Sequence, residues 1–142
     1  MPYGQLFVIS APSGAGKTSL IAAAVESIAD LAVSISHTTR SPRSGEKDGR
    51  DYHFVSASEF QKLIESEALF EHAEVFSNYY GTSKRVVEAQ LASGIDVILE
   101  IDWQGAAQVR QIAPKAVSIF ILPPTRKVLR ERLIERLSLI HI

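Results

Sequence analysis

Short apolar runs alternate along the 142-residue chain with polar gaps and with stretches of helical spacing. Leu6-Phe-Val-Ile-Ser10 is apolar and β-rich and predicts a buried strand. From Thr18 to Ile28, Leu20, Ile21, Ala24, Val25 and Ile28 recur at i, i+3 and i+4, predicting a helix with one apolar face. Ala32 to Ser36 alternates and predicts a second strand, and Tyr52-His-Phe-Val55 a short one. Ser56-Ala-Ser-Glu59 fits a capping box, followed by Phe60, Leu63 and Ile64 on one helical face. Leu69 to Phe76 predicts a strand, Asn78-Tyr-Tyr-Gly81 a turn, and residues 83–93 a helix that Gly94 ends. Val97 to Ile101 predicts a buried strand closed by Asp102, Gln104 to Ile112 a helix, and Ala116 to Leu122 a third core strand. Pro123-Pro124 breaks the pattern, and Thr125 then caps a helix bearing Leu129, Leu133 and Leu137 at i+4 spacing.

This alternation is that of an α/β fold, with a mainly parallel core sheet flanked by helices. Residues 1–36 and 83–124 carry the rhythm. Residues 37–82 break it with short strands and are expected to form an inserted mixed α+β lobe, while 125–142 begin a further helix. Composition adds little. The apolar share of 46% suits one globular domain or part of one, and a net charge of −1 suggests neither a nucleic-acid nor a membrane partner. No apolar run is long enough to span a membrane, so a cytoplasmic protein is the default expectation. The absence of cysteine excludes disulfides and thiolate metal sites.

Candidate chemistry begins at Ala11-Pro12-Ser13-Gly14-Ala15-Gly16-Lys17-Thr18. Strand, glycine-rich turn and helix form the context of a phosphate-binding loop, although Ala11 stands where the consensus has glycine. Backbone N–H groups at a helix N-terminus face anions and carry the positive end of its dipole. Ser13 to Ser19 would cradle a triphosphate such as ATP. Lys17 would reach the β and γ phosphates, and the Thr18 hydroxyl would ligate Mg²⁺. A carboxylate ending an apolar strand commonly partners such a loop, which makes Glu100 and Asp102 candidates for organising Mg²⁺ waters or a base. The polar loop 37–51 holds Arg40, Arg43 and Arg50, with Tyr52 after it. Two arginines three apart near a phenol can clamp a phosphate with bidentate bonds.

The runs Ser34-Ile-Ser36-His-Thr-Thr-Arg40-Ser-Pro-Arg43-Ser-Gly45-Glu46, Gly49-Arg-Asp-Tyr52-His-Phe54, Asn78-Tyr79-Tyr80-Gly81-Thr82 and Asp102-Trp-Gln104-Gly105 resemble, in order, the signatures of guanylate kinase. With the loop at 11–18, the resemblance runs from residue 5 to about 136. It implies a phosphate-loop nucleotide kinase core, a GMP-binding lobe at 37–82, and transfer of the ATP γ-phosphoryl group to GMP or dGMP with Mg²⁺. By resemblance Arg40, Arg43, Tyr52 and Tyr80 hold the GMP phosphate. Glu71, Ser36 and Thr82 read guanine, and Asp102 assists. The residues alone leave Glu71 and Glu74 as alternatives, and the family register selects Glu71. A carboxylate there suits guanine, whose N1–H and 2-amino group are both donors, and leaves adenine unpaired. Arg132 and Arg136, four apart on one helical face, match the family's lid arginines, so Lys17, Arg40, Arg132 and Arg136 are the expected catalytic set. His37, His53 and His72 are expected to be structural or solvent-facing.

Residues 137–142 do not resemble the family's continuation, so the chain is expected to lack the C-terminal part of that fold through truncation or a shifted reading frame. An exposed apolar sheet edge and self-association would follow. Two further readings carry different functions. One is a guanylate-kinase-like module that binds phosphorylated partners without catalysis, against which the triphosphate cradle counts. The other is a small phosphate-loop kinase with another acceptor, against which Glu71, Ser36 and Thr82 count.

Overall fold

The computed structural model describes residues 2–11, 17–122 and 127, and the side chains of Lys17 and Thr18 lie outside that description. In chain order the elements are β1 (Leu6–Ser10), α1 (Lys17–Ser27), β2 (Leu31–Val33), β3 (His37–Thr38), β4 (His53–Phe54), α2 (Ala57–Glu65), β5 (Leu69–Val75), β6 (Asn78–Ser83), α3 (Lys84–Ala92), β7 (Asp96–Glu100), α4 (Trp103–Ile112) and β8 (Val117–Phe120). They build two sheets. One is parallel throughout, in the order β2-β7-β1-β8, and the other is mixed, in the order β4-β3-β6-β5. The expected α/β architecture with a parallel core sheet is therefore present. No helix among the described residues is long and apolar enough to cross a membrane.

The continuous apolar runs of β1 and β7 have a direct cause: both strands are covered on both faces. Leu6, Val8, Val97 and Leu99 join Val87 and Leu91 of α3 and Ala106 and Val109 of α4 in one core cluster. Ile9 and Ile98 point the other way and meet Ile21 of α1, with Phe7, Val25, Leu31 and Val33 around them. Phe70 of β5 is buried in the first cluster, so the second sheet is fastened to the core of the parallel one. Side-chain caps set the helix starts. Ser56 accepts the Glu59 N–H and donates its hydroxyl to the Glu59 carboxylate, Ser83 accepts from Val86, and Asp102 accepts from Gly105.

Several expectations need correction. Asn78–Gly81 is not a turn but part of β6; the chain reverses one step earlier, at Phe76 and Ser77, whose φ angles are 49° and 67°. Two successive left-handed residues make the hairpin turn whose twist matches its strands, and here neither is glycine or asparagine, so composition concealed it. The helix α1 buries less than its pattern suggests: Ile21 is covered, while Leu20 and Ile28 are more than half exposed. The strand expected at 32–36 ends at Val33, and His37 and Thr38 then pair in the second sheet rather than lying in a loop. β8 joins the core parallel sheet beside β1, where among the described residues it is the outer strand, and its Val117, Ile119 and Phe120 are exposed. The helix expected after Thr125 lies outside the described residues, apart from Lys127.

Phe60 anchors α2 to the second sheet. It is 1% exposed, stacks on Tyr79 at 5.6 Å between ring centroids, and lies 3.0 Å from where a Cβ on Gly81 would stand. Phe60→Ala should cost about 3–5 kcal/mol in urea unfolding, since the cavity adds to the lost transfer term. That is a large fraction of the stability of a domain this size.

Candidate functional site

In an open parallel sheet, ligands sit outside the carboxyl ends of the strands. Here β1 and β7 end side by side: Ile9 is in register with Glu100, and the Ile101 N–H donates to the Ile9 carbonyl at 3.3 Å. The segment 11–18 leaves from that end of β1, and α1 starts at Lys17. Beside the end of β7 runs a cleft of about 230 Å³ lined by Ser36, Tyr52, Glu71, Ala73, Val75, Tyr80, Glu100, Ile101 and Asp102. Both sheets contribute walls, with Glu100 to Asp102 from the β7–α4 junction and most of the others from the second sheet.

At the arginine end, the backbone is fixed before the guanidinium is placed. Thr38 is fully buried; its hydroxyl donates to the Tyr79 carbonyl at 2.9 Å and accepts the Arg40 N–H at 3.1 Å. Thr39 clasps Tyr79 in turn, its N–H donating to the Tyr79 carbonyl and its hydroxyl accepting the Tyr79 N–H. Arg40 then makes a bidentate pair with Glu46 at 2.9 and 3.0 Å, and its guanidinium lies 5.2 Å from the Tyr52 ring centre. Glu46 raises the Arg40 pKa most, and the nearby hydroxyls of Tyr80 and Tyr52 add to the rise. The same pair, with the Arg43 N–H, holds the Glu46 carboxyl down at about 2. Arg43 itself is exposed at the loop surface, its N–H donating to Glu46 at 2.7 Å.

The rest of the loop is closely bonded. Asp51 accepts from the Lys47 N–H and from Arg50, Asp48 accepts the Phe54 N–H, and Gly45 and Gly49 supply the left-handed turns at φ 85° and 80°.

At the other end sits Glu71, a carboxylate 6% exposed, whose Oε1 accepts the Thr82 hydroxyl at 2.6 Å. Burial raises its pKa; the Thr82 bond opposes this, and the Asp102 charge adds to the rise. A bulge between Leu69 and Glu71 breaks the β5–β6 register immediately before it, a device that re-aims a side chain.

The structure thus brings Ser36, Tyr52, Glu71, Tyr80, Glu100 and Asp102 to one cleft and seats Arg40 on Tyr52. Thr82 does not line the cleft; it meets it through Glu71. Asp102 caps α4 with its Oδ1 and is exposed. Glu74, the alternative to Glu71, is exposed on β5, away from the cleft lining. His37 and His53 pair across β3 and β4 with ring centres 4.6 Å apart, and His72 is exposed. Ser13, Gly14, Ala15, Gly16, Arg132 and Arg136 lie outside the described residues, as do the side chains of Lys17 and Thr18; Ser19 is exposed on α1. Sequence reasoning assigned no role to Glu46 or Thr38. An acid six residues after Arg40, within a basic loop, was the available signal for Glu46.

Residues 3–138 match the family model described as guanylate kinase. Among curated relatives, the guanylate kinase of Saccharophagus degradans is 59% identical over 95% of this chain and 66% of its own length. That of Methylococcus capsulatus is 60% identical over 94% of this chain and 65% of its own length. The chain therefore spans about two thirds of these relatives, at 65–66% of their length. A crystal structure of guanylate kinase from Anaplasma phagocytophilum superposes with a TM-score of 0.70 at 38% identity, covering 94% of this chain and 67% of that one.

The Arg40–Glu46 pair has an acid signature. Glu46 titrates lower in the folded state than the ordinary carboxylate at 4.5, so its contribution to stability is complete above that value and disappears as pH falls towards about 2. Glu46→Gln should accordingly be less stable than the parent at neutral pH. In urea melts the gap should narrow below pH ~4.5 and close near pH ~2. A gap that is constant across this range would mean that the pair carries no charge-dependent stability.

Proposed function

The chain belongs to the guanylate kinase family, and from that premise we propose that it binds ATP and GMP and transfers the γ-phosphoryl group of ATP to GMP, giving ADP and GDP. The observation that carries this reading is the pairing, along one cleft, of a guanidinium–tyrosine cluster with a buried carboxylate. A nucleoside monophosphate has the same polarity, with a dianion at one end and a base edge at the other. Arg40, with Tyr52 and Tyr80, would take the phosphate, and Arg43 could swing in from the loop surface. Glu71 would accept the N1–H and 2-amino donors of guanine, with Ser36 and Asp102 beside it. Thr82 serves indirectly, by orienting the Glu71 carboxylate through their 2.6 Å bond. Adenine offers an acceptor at N1 and would leave a buried carboxylate unpaired, a mismatch that costs heavily.

Phosphoryl transfer needs positioning and charge neutralisation more than covalent help. The acceptor oxygen is already anionic, so no general base is needed. Lys17 and the amides of residues 13–19 would hold the donor phosphates, and Arg132 and Arg136 would come from the lid. Mg²⁺ suits the donor set at this sheet end: Glu100 offers a hard oxygen in the cleft wall, beside the strand that leads into Thr18. When bound, the ion offsets charge on the transferring group. Purine nucleotide metabolism in the cytoplasm is the setting this reading implies.

An assay of ADP release with GMP, dGMP and AMP as acceptors tests the reading, and AMP serving as well as GMP would overturn it. Glu71→Gln should lower kcat/KM for GMP by about 10- to 100-fold, the worth of a charge-assisted hydrogen bond. Lys17→Ala should abolish turnover while GMP binding survives. Because Glu71 titrates above the ordinary 4.5, KM for GMP should begin to rise, on acidification, at a higher pH than a free glutamate would give. In Glu71→Gln that acid limb should vanish.

A further inference from the structure

Helix α4 meets strand β5 at the residues around Glu71 through positions spaced three apart, which share one helical face. Asp102, the N-cap, is near enough for its charge to act on Glu71. Gly105 is buried one turn on, and a Cβ there would stand 3.1 Å from Glu71 Oε2 and 3.3 Å from Asp102 Oδ1. Gln108, one turn further, grips the backbone of His72 at two points. Its Oε1 accepts the His72 N–H at 3.2 Å, and its Nε2 donates to the His72 carbonyl at 3.3 Å.

The grip falls where β5 most needs it. β5 is the outer strand of its sheet, so its far side has no strand partner among the described residues. The primary amide of Gln108 carries the same donor and acceptor as a peptide group and takes that place. It acts one residue past Glu71, just after the bulge has interrupted the ladder to β6. Its own helix is fixed independently, because Ala106 and Val109 are buried in the core cluster of the parallel sheet.

We propose that Gln108 is a positioning residue for base recognition: its amide locks β5 to α4 at His72, so that the Glu71 carboxylate is held against the space left by Gly105 and faced into the cleft. This rests on the reading of Glu71 as the group that accepts from guanine. Gln108 touches no ligand in this account. Its effect passes through the backbone of β5.

The test compares GMP with inosine monophosphate, which lacks the 2-amino donor, by calorimetric titration of the full chain. Gln108→Met keeps the length of the side chain and removes the amide. GMP should bind about tenfold more weakly, the worth of a neutral hydrogen-bond pair, and inosine monophosphate less than threefold. Amide exchange at His72 should quicken at the same time. Gly105→Ala leaves the grip intact but crowds Oε2, and should lower the same ratio although alanine favours the helix. Gln108→Glu retains the acceptor for the His72 N–H and should fall between the parent and Gln108→Met. Equal losses for both ligands, or an unchanged ratio in Gln108→Met, would overturn the inference. If Gln108→Met does not fold, an unchanged ratio in Gly105→Ala and Gln108→Glu does so. A parent chain that binds both nucleotides equally overturns the guanine reading itself, and this inference with it. That failure is visible before any substitution is made.

Discussion

The Glu71 carboxylate sits 6% exposed, and among the described residues a single hydroxyl, that of Thr82, donates to it. Burying a charge without full hydrogen bonding is costly, and the rise in its pKa is the sign of that cost. Asp102 makes the position worse, since a second acid nearby adds repulsion. The surrounding fold accommodates this rather than relieving it. A bulge turns the residue inward, a glycine on α4 leaves it room, and the neighbouring backbone is held by Gln108. An acceptor kept short of donors is an expensive element in an empty cleft. It becomes favourable when a ligand edge supplies two donors together, and that asymmetry is the physical basis of selectivity for guanine in the proposed reaction.

The opposite end of the cleft is built on the contrary principle. Arg40 is held in place: two of its nitrogens bond Glu46, one of them also reaches the Ser41 carbonyl, and Tyr52 lies beneath, while these bonds engage three of its five N–H donors. Such a pair orients the fork at little net cost, because each charge is compensated within the loop. In the proposed reaction an incoming phosphate dianion would meet a cation already aimed and backed by Tyr52, so little side-chain entropy would remain to be lost. Glu46 also moderates the local field, since it offsets part of the charge that would otherwise draw any anion. One end of the cleft thus offers pre-orientation, and the other an unmet demand for donors.

The limits of the sequence reading follow the same physics. β1 and β7 were legible because a strand covered on both faces must be apolar nearly throughout, and Leu6–Ile9 and Val97–Leu99 are. The three side-chain caps were legible only in part: the Ser56 box shows in local spacing, whereas Asp102 read as a possible ligand before it read as a cap. The Phe76–Ser77 reversal was invisible, since its left-handed residues carry side chains that ordinarily avoid that conformation, and the polar Asn78-Tyr-Tyr-Gly81 run beside it drew the assignment instead. Amphipathic spacing overstated the burial of α1: Ile21 is packed, Leu20 is exposed, and Ile28 lies past the end of the helix at Ser27. Within the site, residue types were readable and partnerships were not. That Thr82 is committed to Glu71, or Glu46 to Arg40, depends on contacts between strands and across loops that no local pattern encodes.

The junction between β7 and α4 ties these parts together. Glu100, Ile101 and Asp102 line the cleft, yet they continue a strand whose Val97, Ile98 and Leu99 are fully packed in the parallel sheet. From the same junction α4 runs back across β5 and fastens it at His72. The arginine and glutamate ends of the cleft belong to the second sheet and its loops, whereas the segment proposed to hold the donor phosphates follows β1, the neighbour of β7. In-line transfer tolerates errors of only fractions of an ångström between the two nucleotides. Both must therefore be referred to one rigid element. Of the described elements, the β7–α4 segment meets the end of β1, the cleft wall and β5 at once, so under the proposed reaction it would be the reference that both nucleotides share.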